Sequence, residues 1–139
     1  MVLIRGEREI LHIEEIRHNP LRSDQREKDM ILATLRMAIP LQKRGEALKI
    51  LKSMVARNQA RPDDCVFCRI CEDVLEDNIL QFEEMWRSEE ELERHLRSDE
   101  YHKVLLVLEM ALKQPEIRFD TISSSTGIDT IEKARSRAK

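Results

Sequence analysis

The fold is decided by residues 78–112, which read NILQFEEMWRSEEELERHLRSDEYHKVLLVLEMAL. The first part of this stretch predicts a β-strand that ends near Arg87. Side chains alternate between the two sides of a strand, so Phe82, Glu84 and Trp86 should lie on one face. That face carries an acid and the only tryptophan of the chain.

A helix is predicted directly after this strand. Ser88 and Glu91 form the S-x-x-E pattern of a capping box, which stabilises the start of a helix. His95 lies on the inner side of the first helical turns, and the pattern is interrupted at residues 98–100. Apolar residues then recur at spacings of three and four, as expected for one buried helix face. The sequence therefore predicts that His95 and Trp86 lie close together.

The remaining elements complete an α+β domain. Their order is strand, helix, strand, strand, helix, strand, which is the ferredoxin-like β-α-β-β-α-β arrangement. We predict strands at residues 30–38, 65–73, 79–87 and 117–124, and helices at 41–57 and 88–113. This domain spans residues 29–127, between a charged N-terminal extension at 1–28 and a solvated C-terminal tail at 128–139 that should fray.

Both faces of the predicted sheet are at least half apolar. The first strand places Ile31, Leu35 and Met37 on one side, and Met30 and Leu32 on the other. Helices cover only one face of this fold, so a second subunit is the natural cover for the other. We therefore predict a homodimer through the sheet, which would form a dimeric α+β barrel.

Net charge, hydropathy and cysteine content argue against several classes of partner and location. The net charge of −3 offers no basic surface for nucleic acid. No apolar run approaches the roughly 18 residues of a membrane span, so no membrane partner is expected. Three cysteines within one short segment do not resemble a secreted disulfide framework. We expect a cytoplasmic protein.

The central stretch resembles the antibiotic biosynthesis monooxygenase family, whose quinol monooxygenase-like members are small dimeric α+β barrels. The resemblance covers about residues 29–127 and lies in a short signature of Glu84, Met85, Trp86, Ser88, Glu91, Leu92, His95, Leu96 and Ser98. Two positions depart from the family pattern. Asp64 replaces a common glycine, and Cys68 stands where an aromatic residue is common, which would alter the shape of the pocket.

The resemblance implies oxidation of a quinol or electron-rich phenol by O2, without metal, flavin or haem. A deprotonated phenol can pass an electron directly to oxygen, so the protein need supply only a dry pocket, a base and orientation. The family signature implies His95 as the base, Trp86 as an aromatic wall and Glu84 as an orienting group. The sequence itself adds Tyr101 and Arg36 as substrate-binding residues, beside Cys68 at the altered pocket position.

Each assignment has a structural alternative. Trp86, His95 and Tyr101 could be ordinary core residues, Glu84 a structural partner and Arg36 a surface or interface charge. The chain could then be a non-catalytic member of the fold that binds a small molecule or serves in stress response. Room for a ring beside His95 would distinguish an enzyme from such a protein.

Metal and haem chemistry are not indicated. Cys65, Cys68 and Cys71 are spaced like metal ligands, but strand alternation should turn Cys68 away from the other two. A haem-degrading branch of the fold relies on an asparagine in the first strand, where this chain has Thr34 and Leu35. We therefore expect no metal and no cofactor.

Overall fold

The computed structural model describes residues 29–137, and the predicted extension at 1–28 lies outside them. The strands are β1 (Met30–Ala38), β2 (Cys65–Glu72), β3 (Ile79–Trp86) and β4 (Glu116–Ile122). The helices are α1 (Leu41–Gln59), α2 (Glu89–Leu96), α3 (Tyr101–Glu109) and α4 (Ile128–Arg137).

The four strands form one antiparallel sheet in the order β2-β3-β1-β4. β1 and β2 are therefore joined through α1 across the intervening β3, as in a split βαβ unit. Ala33 of β1 is opposite Glu84 of β3 on one side and Phe119 of β4 on the other. The predicted α+β, ferredoxin-like fold is confirmed.

The main core lies between the sheet and the first three helices. α1 packs on β2 and α3, while α2 packs on β1 and β3. This helix-covered face carries the even-numbered side chains of β3 and the odd-numbered ones of β1, among them Leu35, Phe82 and Trp86. The opposite face carries a smaller apolar cluster, formed by Met30 and Met85 with Leu32, Val66, Phe67 and Ile122 around them.

A β-bulge in β2 corrects the predicted orientation of the cysteines. The register with β3 shifts between Cys65 and Phe67, so one extra residue interrupts the alternation. Cys65 and Cys68 both join the main core, whereas Cys71 lies beside Glu83 on the opposite face. The prediction that Cys65 and Cys71 share a face was wrong.

The helical segment predicted over residues 88–113 is two helices. The Ser98 hydroxyl donates to the carbonyl of His95 at 2.7 Å and accepts from the backbone N–H of Tyr101 at 3.3 Å. One side chain thus caps the end of α2 and the start of α3, because a serine hydroxyl is both donor and acceptor.

The C-terminal residues also differ from expectation. Residues predicted to fray form α4, a helix in which no side chain is buried. Among residues 29–137 no helix combines the length and apolar character needed to cross a membrane.

Candidate functional site

The centre of the candidate site is a contact between Glu84 on β3 and His95 on α2. Nε2 of His95 lies 2.7 Å from Oε2 of Glu84, and each side chain is only 1% exposed. The two atoms are in contact but form no aligned Nε2–H hydrogen bond, and the contact is an ion pair only when His95 is protonated. A carboxylate this deeply buried requires partners, and His95 is one of them.

Asn58 is the second partner, and the sequence analysis missed it. Its Nδ2 donates to the same Oε2 of Glu84 at 2.7 Å and lies 3.3 Å from Sγ of Cys68. The side chain is completely buried at the C-terminal end of α1. A signal existed, because the buried positions 47, 51, 54 and 58 of α1 follow helical spacing and Asn58 is the polar residue among them.

Aromatic rings lie on two sides of His95. The ring centroid of Trp86 is 4.3 Å away with an interplanar angle of 30°, and that of Tyr101 is 5.0 Å away at 79°. The predicted proximity of Trp86 and His95 is observed because β3 passes directly into the capped α2. Ser88 caps that helix as expected, since its Oγ accepts from the N–H of Glu91 at 3.2 Å.

Several buried polar atoms of this cluster have no hydrogen-bond partner. They are Nδ1 and Nε2 of His95, Nε1 of Trp86 and Oδ1 of Asn58. Unpaired buried polar atoms are rare in proteins and mark positions where a further polar group is needed. This cluster offers a donor on Trp86, an acceptor on Asn58 and an imidazole nitrogen.

Burial controls the titration of the neighbouring groups. It raises the pKa of the Tyr101 phenol well above its ordinary value, and the negative charge of Glu84 adds to the effect. Burial likewise raises the pKa of the Cys65 thiol to about 12. Both groups are therefore neutral at physiological pH, so neither Tyr101 nor Cys65 serves as an anionic base.

Arg36 is the predicted site residue that is placed elsewhere. It lies on the face of β1 opposite to Leu35, where its guanidinium is 2.6 Å from Asp73 and 3.5 Å from Gln81. The bond from Arg36 holds the pKa of Asp73 down at about 2. The structure thus gathers the other predicted residues, Glu84, Trp86, His95, Tyr101 and Cys68, on the helix-covered side of the sheet.

Residues 29–137 contain no cluster of side chains typical of a metal centre. No group of three or more His, Cys, Asp or Glu side chains is arranged there to hold a metal ion. Glu84 and His95 form a pair, and the side-chain amide of Asn58 binds the Glu84 carboxylate.

No protein-family model matches the chain, and no curated protein matches its sequence. Solved structures do match in three dimensions. A conserved Methanosarcina mazei protein is 22% identical, covering 69% of this chain and 95% of its own, with a TM-score of 0.60. A Caulobacter crescentus protein, named as a candidate antibiotic biosynthesis monooxygenase, is 16% identical over 70% of this chain and 92% of its own, with a TM-score of 0.63.

A Deinococcus radiodurans protein with the same name is 12% identical, covering 70% of this chain and 97% of its own, with a TM-score of 0.63. Identities this low establish a common fold and carry no residue role across. The resemblance expected from the Glu84, Trp86 and His95 signature is confirmed at that level: this chain has the fold of the antibiotic biosynthesis monooxygenases.

Proposed function

We propose that this chain is a monooxygenase that oxidises a quinol or electron-rich phenol with O2, using no metal, flavin or haem. One observation carries the proposal. A buried histidine meets a carboxylate at Nε2 and leaves Nδ1 unpaired beside an indole ring. The unprotonated nitrogen of a neutral imidazole is a base, so His95 can take a phenol proton through Nδ1.

The geometry suggests a division of roles. Nδ1 of His95 accepts the proton, and the Glu84 carboxylate stabilises the imidazolium that forms. Asn58 holds the carboxylate in place through its own hydrogen bond. Trp86 offers its indole N–H as a donor to a substrate oxygen. Tyr101 stays protonated, so it acts as a wall or a hydrogen-bond donor.

The reaction balances without an external reductant. A hydroquinone gives up two hydrogens, one oxygen atom of O2 enters the ring and the other leaves as water with those hydrogens. The first step is loss of the phenol proton to His95, and the phenolate then passes an electron to O2. The protein contributes a base, orientation and exclusion of water.

A second function, that of a non-catalytic member of the fold that binds a small molecule or serves in stress response, is favoured by a different observation. The His95 ring has aromatic neighbours at 4.3 Å and 5.0 Å, and the residue is almost fully buried. A substrate ring enters only if one of these neighbours moves.

The homodimer through the sheet is part of the proposal. The helices described pack on one face only, and the cluster around Met30 and Met85 gives the opposite face an apolar patch. A cytoplasmic location and the division into an extension, a domain at 29–127 and a tail also stay predictions.

Oxygen uptake by metal-stripped protein, measured with a panel of hydroquinones and anthrols, tests the proposed reaction. We expect uptake above spontaneous autoxidation that survives a chelator. His95→Ala should lower the rate by about a hundredfold or more. His102→Ala is the matched control, because His102 is exposed on α3.

An unchanged rate in His95→Ala would remove this residue from the mechanism. If the whole panel gave no protein-dependent uptake, the binding function would be favoured. Quenching of the single tryptophan, Trp86, by the same phenols would then reveal that binding.

A further inference from the structure

The helix-covered side of the sheet is incomplete at β4. Among the described strands this edge strand pairs with β1 alone, and the packing of α1 and α2 lies over the other strands. Ile117 and Phe119 point to the helix side, because they are opposite Leu35 and Ala33. They remain 49% and 46% exposed.

The same strip becomes acidic at its other end. Thr121 of β4 and Ile31 of β1 border a cavity of about 510 Å³ beneath the start of α2. Four carboxylates line this cavity, those of Asp29, Glu89, Glu90 and Glu93. We name the whole strip, from Ile117 through Phe119 and Thr121 to this cavity, the β4 groove.

Helix α4 has a matching surface that no element within residues 29–137 buries. Ile128 and Ile131 lie three residues apart on its first turn and are 63% and 55% exposed. Its second half is basic, with Lys133, Arg135 and Arg137. A short helix that buries none of its side chains gains little from its own hydrogen bonds, so α4 requires a packing partner to be stable.

We propose that α4 of one copy of this chain docks in the β4 groove of a second copy. The dimensions agree: the ten residues of α4 span about 15 Å, and the strand from Ile117 to Thr121 spans about 13 Å. The charges agree as well, because the basic half of α4 then meets the acidic end of the groove.

The direction of the chain favours docking of α4 on a second copy over docking on its own strand. β4 ends at Ile122, beside the acidic cavity, and α4 starts only six residues later. Folded back on its own strand, α4 would place Ile128 among the carboxylates and Arg137 over Ile117. A helix from another copy can run the other way, which pairs apolar with apolar and basic with acidic surfaces.

Such a contact occurs twice in a two-fold dimer, because each copy offers both a helix and a groove. This contact is compatible with a dimer through the sheet, because β4 forms an edge of that same sheet. The inference concerns subunit contact and does not depend on the proposed oxidation.

Disulfide trapping between two different variants tests the docking. We would mix the full-length Ile131→Cys protein with tagged Phe119→Cys protein under mild oxidation and separate the products without reductant. A tagged heterodimer near twice the chain mass of 16.4 kDa is expected. The native cysteines are buried, so they contribute little background.

The matched control pairs Ile131→Cys with Ser53→Cys, which places the thiol on an exposed position of α1. We expect at least tenfold more heterodimer from the docking pair. Arg135→Glu combined with Arg137→Glu should lower the yield several-fold, whereas Lys52→Glu on exposed α1 should not.

Two results would overturn the proposal. Equal yields from the docking and control pairs would mean that α4 does not seat in the β4 groove. A double variant, Ile131→Cys with Phe119→Cys, that closes an internal disulfide and stays at single-chain mass would mean that α4 covers its own strand.

Discussion

At the residue scale, one oxygen of Glu84 holds the candidate site together. Oε2 is 2.7 Å from Nδ2 of Asn58 and 2.7 Å from Nε2 of His95. A buried carboxylate is costly unless its partners are in place, so the three residues form one unit joining α1, β3 and α2. This unit stabilises the fold whether or not the chain is an enzyme.

Removing Asn58 should therefore destabilise the protein. Asn58→Ala deletes a hydrogen bond to a charged group and should lower the free energy of unfolding by about 1.5–3 kcal/mol. Urea denaturation measures the change. Gln59→Ala is the control, since Gln59 is the exposed neighbour on the same helix. Equal stability of the two variants would mean that the Asn58 bond contributes nothing.

The sequence predicted the site only where neighbours along the chain are also neighbours in space. Trp86 and His95 flank one strand–helix junction, so their proximity followed from alternation and capping. Asn58 reaches Glu84 from a helix 26 residues away, and nothing local requires that contact. The face of β1 on which Arg36 lies could not be predicted either, because apolar residues occupy both sides of that strand.

At the element scale, the start of α2 sets the position of His95. Ser88 has extended backbone angles and its hydroxyl accepts from the N–H of Glu91, so the helix begins at a fixed residue. Three glutamates in the first turn suit the positive end of the helix dipole. The helix has only eight residues, so its cap contributes a large share of its stability.

Loss of this cap should be measurable. Ser88→Ala is expected to lower the free energy of unfolding by about 1 kcal/mol. Ser53→Ala provides the comparison, because Ser53 lies on the exposed side of α1 and bonds only to the carbonyl of Ile50 in its own helix. Thermal unfolding of both variants decides the point. A Tm shift for Ser53→Ala as large as that for Ser88→Ala would show that the Ser88 cap does not stabilise the protein.

The elements themselves were largely predictable, and the exceptions have physical causes. β1 was predicted with its observed bounds because Pro40 follows a continuous apolar run. The bulge in β2 was not predicted, since one inserted residue leaves the composition of a strand unchanged. α4 was missed because its short, highly charged sequence shows no buried stripe, and no element in the described part of the chain buries its side chains.

At the scale of the whole molecule, all three cysteines lie on β2, which pairs with β3 alone within residues 29–137. All three are buried, and none forms a disulfide. α1 packs over the face of β2 that carries Cys65 and Cys68, so exposing these two thiols requires β2 and α1 to separate. Cys71 lies on the opposite face, so its exposure requires only that the end of β2 detach. Reaction of the thiols therefore reports how cooperatively the domain opens.

We expect the folded protein to react slowly with a chromogenic disulfide reagent, at least a thousandfold more slowly than in denaturant, as domain stabilities of 5 kcal/mol or more imply. The buried Cys65 thiol, whose pKa is raised to about 12, supplies almost no thiolate while the chain is folded. Counting modified thiols by mass over time measures the reaction, and denatured protein should give three at once. Cys65 and Cys68 should be modified together in the folded protein, no earlier than Cys71. Modification of Cys65 or Cys68 on its own would show instead that β2 and α1 do not open as one unit.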